Sequence, residues 1–379
     1  MIERHARHAL MPGWRQDLLK RATVILAGAG ALGNSVAQIL ALAGVGNLLV
    51  VDHDNVETSN LSRTPLFRPA DIGRSKAAVA AESLRGLAPE IVVEGREGKF
   101  EAAVGLGEID AATLIISALD SRAARLSLAS RCGLVEAPVI DGGTNAWGGE
   151  VRLYLDRQGA CYGCGLSARE RAEADFPWSC AAVQAESPSG ANAATSGIVG
   201  AWMAHAAIQT LLGLGSTGAT AIAIDPLAGA ARRINLVRDP QCPFHHPTGA
   251  VTRIAPTSSS TVADLLAALP EPGAPLLWRP VEADARCNAC GRVEEPWRPA
   301  RMRSCPSCGE LLSIRPEVDL TRAPPHLRLS DLGVPPGEFL AVRTKQGISY
   351  VALADRLLHD RPRPDPRIGA RMAGSGEQP

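Results

Sequence analysis

The stretch GAGALGNSVAQILALAGVGNLLVVDHDNVETSNLSR, residues 28–63, decides how the chain is read. Its first six residues describe a tight glycine turn that lets phosphate approach the backbone at a helix N-terminus. The preceding ATVILA reads as a buried strand, NSVAQILALAG as a helix stopped by Gly44, and NLLVVD as the next strand. Gly28, Gly30 and Gly33 are therefore candidate nucleotide-contact positions. Asp52, 19 residues beyond Gly33, ends the second strand where a ribose-binding acid is expected.

Between Ala22 and Val51 there is no charged residue, so a membrane span has to be weighed. Five glycines (Gly28, Gly30, Gly33, Gly44 and Gly46), with Asn34, Gln38 and Asn47, punctuate the run. It fits strand, turn, helix, turn and strand buried in a parallel sheet. Further on, GRSKAAVAAESLRGLAP predicts a helix ended by Pro89, EIVVEGREG a strand, ATLIISALD a strand ending in an acid, and APVIDGG a fifth strand. GGEVRLYL predicts another strand and SGIVGAWMAHAAIQTLLG a buried helix. This alternation implies an α/β fold with a Rossmann-like, doubly wound, mostly parallel sheet over the first part of the chain.

The charges that follow Asp52 exceed what hydride transfer requires. Asp54, Asn60, Arg63 and Lys76 come in one run, and Asp120 ends another strand at the same carboxyl edge. Two cations and an amide suit a triphosphate, and a strand-end carboxylate suits Mg²⁺ held between phosphates. Only four of the 39 basic residues are Lys, which makes Lys76 conspicuous. With Lys+Arg and Asp+Glu both at 39, formal net charge is zero, so neither nucleic acid nor a membrane surface is the expected partner. The charged amino terminus MIERHARHALMPGWRQ does not resemble a secretory signal, and a soluble cytoplasmic protein is expected.

Six of the nine cysteines form three C-x-x-C pairs, which favours metal over disulfides here. Cys287, Cys290, Cys305 and Cys308 give the C-x₂-C-x₁₄-C-x₂-C spacing of a zinc ribbon. The expected organisation is a nucleotide-binding α/β domain over 1–250, a linker over 251–283 (from TGAVTRIAPTSSS), the ribbon over 284–314, a small β-rich module over 315–365 and a disordered tail over 366–379.

RHARH (4–8), GAGALG, VDHDNVETSNLSR, GRSK and SALD resemble, in order, the signature blocks of the ThiF/MoeB and ubiquitin-activating superfamily. The resemblance covers roughly residues 4–246, and its most specific block is the D-x-D-x-V-x-x-S-N-L-x-R run. It implies ATP-dependent adenylation of the C-terminal glycine of a ubiquitin-fold protein by a homodimer. By position it assigns Asp52 to the ribose, Asn60, Arg63 and Lys76 to the phosphates, Asp120 to Mg²⁺, and Arg7 to the ATP of the neighbouring subunit. It also implies one Zn²⁺ held by Cys161 and Cys164 with a second pair. Here that second pair reads CPFHH, so Cys242 and either His245 or His246 complete the set, the spacing favouring His245.

Of the two remaining cysteines, Cys132 reads as a small core residue. Cys180, in DFPWSCAAVQAESPSG, stands where thioester- or persulfide-forming members of the superfamily keep a reactive thiol. The first expectation is therefore activation of a ubiquitin-like protein for conjugation through Cys180, with the C-terminal module docking a second protein such as a conjugating enzyme. The alternatives are activation of a sulfur carrier protein, or a related ATP-dependent dehydratase of modified tRNA.

Overall fold

A computed structural model of the chain describes residues 4–156, 158–174, 190–215 and 218–360. The described residues fall into two compact units. One holds those before 104, those of 109–247 and those after 357; the other is Val104–Glu108 with Thr248–Leu357.

The first unit is built on an eight-stranded sheet: β1 (Thr23–Ala27), β2 (Asn47–Asp52), β3 (Val92–Glu97), β4 (Leu114–Ser117), β5 (Val139–Thr144), β6 (Gly149–Tyr154), β7 (Ala219–Asp225) and β8 (Ala230–Asn235). Their order is β3-β2-β1-β4-β5-β6-β7-β8. The first five are parallel and the last three antiparallel. All five residues of β1 are buried, as a strand covered on both faces requires. The register pairs Ala27 with both Val51 and Ser117, and Ser117 with Asp141. The carboxyl ends of β1, β2, β4 and β5 therefore lie along one edge. Strand order reverses between β1 and β4, the switch point at which such sheets bind ligands.

The helix Ala31–Ala43 follows β1 and packs with the long helix Ala193–Leu212 in one core that includes Leu32, Val36, Leu40, Val199, Met203 and Ala207. Gly200 permits the approach, because a Cβ there would lie 2.6 Å from the Cβ of Ser35. No helix among the described residues is long and apolar enough to cross a membrane.

The second unit has its own core of Ile254, Val262, Leu265, Leu277, Val281, Leu329, Leu340, Val342 and Val351. Its sheet joins β9 (Val251–Arg253), β10 (Ala274–Arg286), β11 (Val293–Glu294), β12 (Arg298–Pro299), β13 (Ser313–Asp319), β14 (Phe339–Thr344) and β15 (Gly347–Ala352) around the long β10. Residues 251–283 are thus not a linker. They form β9, the helix Val262–Ala267 and most of β10, and bury Ile254, Val262 and Leu265. The Ser and Thr residues that look like linker composition make local caps instead. Thr261 caps the helix in a reciprocal box with Asp264, and the Ser258 hydroxyl donates to Asp355 at 2.7 Å. Because β10 pairs with β13 and β14, the ribbon and the β-rich segment share one sheet. The expected tail, 366–379, lies outside the described residues.

Two glycine substitutions report on this construction. Gly33→Ala places a Cβ 1.9 Å from the carbonyl oxygen of Gly28, and should cost more than about 2 kcal/mol by denaturant unfolding. Gly86→Ala, at an exposed helical position with nothing within 4 Å of the added carbon, should stabilise by about 0.5–1 kcal/mol.

Candidate active site

The glycine turn after β1 is fixed from three sides. Gly28 has φ +97°, donates its N–H to the Val51 carbonyl at 2.8 Å, and leaves room for the carbonyl of Ala118, which would lie 2.5 Å from a Cβ. Gly33 passes the Gly28 carbonyl at a distance no side chain tolerates. Gly30 is different: it begins the helix Ala31–Ala43, and a Cβ there would meet nothing within 4 Å. That helix has no side-chain cap and no acid in its first turn, so its first N–H groups and the positive end of its dipole are available to an anion.

Asp52 ties this turn to the acidic loop after β2. One carboxylate oxygen accepts from the Ala29 N–H at 2.7 Å and the other from the Asp54 N–H at 2.8 Å. Asn34, unassigned by the sequence reading, is a second tie. Its side chain is buried, donates to the carbonyls of Ala29 (2.7 Å) and Gly30 (3.1 Å), and accepts from the Leu66 N–H at 3.0 Å. The signal was present as an isolated amide inside an apolar run.

The segment from Asp54 to Val56 pairs with Gly73–Lys76, with Val56 N–H donating to Arg74 O at 2.8 Å and Lys76 N–H to Asp54 O at 2.9 Å. The Lys76 ammonium lies 2.9 Å from Asp54 Oδ2. Burial raises the Asp54 pKa, but the Lys76 hydrogen bond and charge outweigh it and hold the carboxyl below its usual range. Asn60 is 8 % exposed and spends its carbonyl oxygen on the Glu57 N–H at 3.0 Å, so it shapes its own turn. Arg63 donates to the Ser59 carbonyl at 2.6 Å and meets no carboxylate among the described residues. Asp120 is exposed on the turn after β4, next to Gly28 through Ala118, and has no ion-pair partner among the described residues. An open carboxylate beside a phosphate cradle is a donor set that fits Mg²⁺.

Arg7 is not among these groups; it is exposed on an amino-terminal 3₁₀ turn, without a side-chain cap bond. Cys180 lies outside the described residues. Cys132 is 2 % exposed and burial pushes its thiol up to about 12, as for a packing residue rather than a nucleophile.

Three groups among the described residues could hold metal: Asp52, His53 and Asp54 at the end of β2, and two cysteine clusters. Cys161 and Cys164 follow β6; Cys242 and His245 follow β8; all four donor atoms lie within 4.8 Å of one another. Cys161 Sγ is 3.8 Å from Cys164 Sγ and 3.6 Å from Cys242 Sγ, and His245 Nε2 is 3.0 Å from Cys164 Sγ. Tetrahedral zinc with sulfurs at 2.3 Å sets them about 3.8 Å apart, so the donors fit Zn²⁺. His245, not His246, is the imidazole in the cluster. The second cluster is Cys287, Cys290, Cys305 and Cys308, with Cys287–Cys308 at 3.3 Å and Cys290–Cys305 at 3.6 Å. Each of its pairs closes a knuckle: Gly291 N–H donates to Cys287 O and Gly309 N–H to Cys305 O, both at 2.9 Å, with φ +75° and +80°.

Residues 2–244 match the model of the ThiF family. The chain belongs to the ThiF family. It is an adenylyltransferase, as are its relatives of similar extent by name. It is 32% identical over 251 residues to a sulfur carrier protein adenylyltransferase of Thermus thermophilus, covering 64% of this chain and 90% of the relative. It is 30% identical over 244 residues to the molybdopterin-synthase adenylyltransferase of Escherichia coli, covering 63% and 94%. A longer maize adenylyltransferase and sulfurtransferase is spanned over only 45% of its length. Among solved structures, E. coli MccB with ATP shares the fold at 21% identity and TM-score 0.53, over 64% of this chain and 75% of that one.

Metal analysis of the purified chain should find two zinc ions per molecule. Cys164→Ser and Cys290→Ser should each lower the count by one; a wild-type count of one that survives Cys164→Ser would remove the Cys₃His site.

Proposed function

We propose that the chain uses ATP to adenylate the C-terminal glycine of a ubiquitin-fold sulfur carrier protein. What supports this is the set of groups on the segments after β1, β2 and β4: an uncapped helix N-terminus, Asp52, the Lys76–Asp54 pair and the open carboxylate Asp120, with Arg63, which meets no carboxylate among the described residues, further along the segment after β2. A dinucleotide site needs only the first two. The Thermus and E. coli relatives, spanned over nine-tenths of their length, are named for carrier and molybdopterin-synthase adenylation, which favours carrier activation over conjugation.

In this reading the triphosphate lies over Gly30 and the first turn of Ala31–Ala43. Lys76 keeps one donor on Asp54 and turns its other two to phosphate, and Arg63 covers the remaining charge. Asp52 takes the ribose hydroxyls on its free lone pairs. An oxygen of the carrier's terminal carboxylate attacks the α-phosphorus, and the bond to the bridging oxygen of the β-phosphate breaks. Pyrophosphate leaves with the electron pair, and an acyl-adenylate remains. The attacking carboxylate is already ionised, so the residues mainly position groups and neutralise charge. Asp120 would hold Mg²⁺, which when bound would supply neutralisation of charge on the leaving pyrophosphate. The zinc clusters stand apart from this chemistry as structural sites.

Three further assignments belong to the same proposal. Arg7 acts on the ATP of a second copy in a homodimer. The Cys180 thiolate attacks the carbonyl of the acyl-adenylate and forms a thioester, AMP leaving. The second unit, whose main segment Thr248–Leu357 lies outside the family match, docks another protein, a conjugating enzyme being the partner if conjugation follows.

Calorimetry should show Mg²⁺·ATP binding and no NAD binding; the reverse result ends the reading. Carrier-dependent ATP–pyrophosphate exchange should fall at least about a hundredfold in Asp120→Ala without loss of fold. Cys180→Ala should leave exchange near normal and abolish the thiol-sensitive adduct with the carrier, because the adenylate forms before the thiol attacks. An adduct that persists in Cys180→Ala assigns the acceptor to another group.

A further inference from the structure

The turn that carries Asp120 is held from behind by a single side chain. Arg125 lies in the first turn of the helix Arg122–Leu134, which Ser121 caps through the Ala124 N–H. Its guanidinium reaches back: Nε and Nη2 donate to the Leu119 carbonyl at 3.0 and 2.7 Å, and Nη1 donates to Asp141 Oδ2 at 3.1 Å. Asp141, on β5, is 2 % exposed and also accepts from the Ser117 hydroxyl at 2.7 Å. One buried carboxylate thus joins the end of β4, the turn after it and β5. Gly143 makes space for this, since a Cβ there would lie 3.0 Å from Arg125 Nη2.

On its other flank the same turn is set against the glycine loop, with Ala118 N–H donating to Ala27 O at 2.8 Å. Between these two anchors Asp120 is left exposed. The guanidinium is largely buried against Gly143, and Arg125 and Asp141 also line a cavity of about 110 Å³ together with Leu128, Cys132, Tyr154 and Phe244. Three hydrogen bonds orient the guanidinium, one of them the ion pair with Asp141, whose Oδ2 also lies 3.6 Å from Arg152 Nη1. A buried ion pair is a poor source of net stability compared with apolar packing, so its geometric effect is the more informative part.

We propose that Arg125 is a positioning residue for the adenylation reaction. Through Leu119 O and Asp141 it fixes the 118–121 turn so that the Asp120 carboxylate meets nucleotide-bound Mg²⁺. The inference rests on the reading of Asp120 as the Mg²⁺ ligand, and the test separates the two.

A non-hydrolysable ATP analogue is titrated calorimetrically into the full chain over a series of Mg²⁺ concentrations, for wild type, Arg125→Lys, Asp141→Asn and Asp120→Asn. Arg125→Lys keeps the charge and loses the fork. It should raise the Mg²⁺ concentration for half-maximal binding about tenfold, with metal-free affinity within about twofold and a similar Tm. Asp141→Asn should move it less, in the same direction. A shift in Asp120→Asn but in neither of the other two overturns the role of Arg125 alone. No shift in Asp120→Asn removes the metal assignment itself. Loss of fold in both Arg125→Lys and Asp141→Asn, or an equal loss of metal-free affinity, assigns the pair to holding the core and also overturns the inference.

Discussion

Everything at the nucleotide edge depends on the Asp52 carboxylate being shared between two loops. It accepts from Ala29 in the glycine turn and from Asp54 in the acidic loop, so the ends of β1 and β2 cannot move independently. A carboxylate that takes two backbone N–H groups is itself held in one orientation, with lone pairs still unused. Asn34 extends the tie to Leu66 and hence to the turn that bears Asn60 and Arg63. Arg63 is presented on a turn and Lys76 at the start of the helix Lys76–Leu87, whose first N–H is bonded to Asp54 O beyond the end of β2. That is the condition for electrostatic preorganisation.

The antiparallel side of the sheet is secured by different chemistry. β6 and β8 end in segments carrying Cys161 with Cys164 and Cys242 with His245, which come together although 81 residues separate the pairs. Arg171 reinforces the same junction, donating to Asp239 at 2.8 Å and to Gly163 O at 3.0 Å. Gly163 has to be glycine, because a Cβ would lie 2.4 Å from the Phe244 ring. In the second unit, fully buried Glu282 accepts from Arg301 N–H and from Arg303, both at 3.1 Å, so the ribbon shares a charge network with β10 as well as a sheet.

Much of this is legible in residue order. The apolar runs bounded by glycine give β1, β2, β4 and β5, and the C-x-x-C spacings bring the four-cysteine cluster into view with half of the other, whose Cys242 and His245 follow only from the family resemblance. What the order of residues hides is partnership. Lys76 reads as a phosphate cation, yet its ammonium also serves Asp54; Asn60 reads as a phosphate contact, yet its carbonyl oxygen closes its own turn. Arg125 is one arginine among many until the fold brings it to Leu119 and Asp141. Residues 251–283 mislead because Ser, Thr and Pro serve capping as well as they serve flexible linkers, and only burial of Ile254, Val262 and Leu265 separates the two. The exposed β8 carries too little periodic signal to be read, since its pairing with β7 rather than a buried face defines it.

The central claim is that the crevice between β1 and β4 holds a triphosphate rather than a dinucleotide. A structure of the full chain with a non-hydrolysable ATP analogue and Mg²⁺ tests it most directly. The account predicts phosphates over Gly30 in contact with Arg63 and Lys76, the ribose on Asp52, and the metal between Asp120 and the phosphate oxygens. A triphosphate bound elsewhere, or bound at this edge with neither Arg63 nor Lys76 in contact, would contradict it.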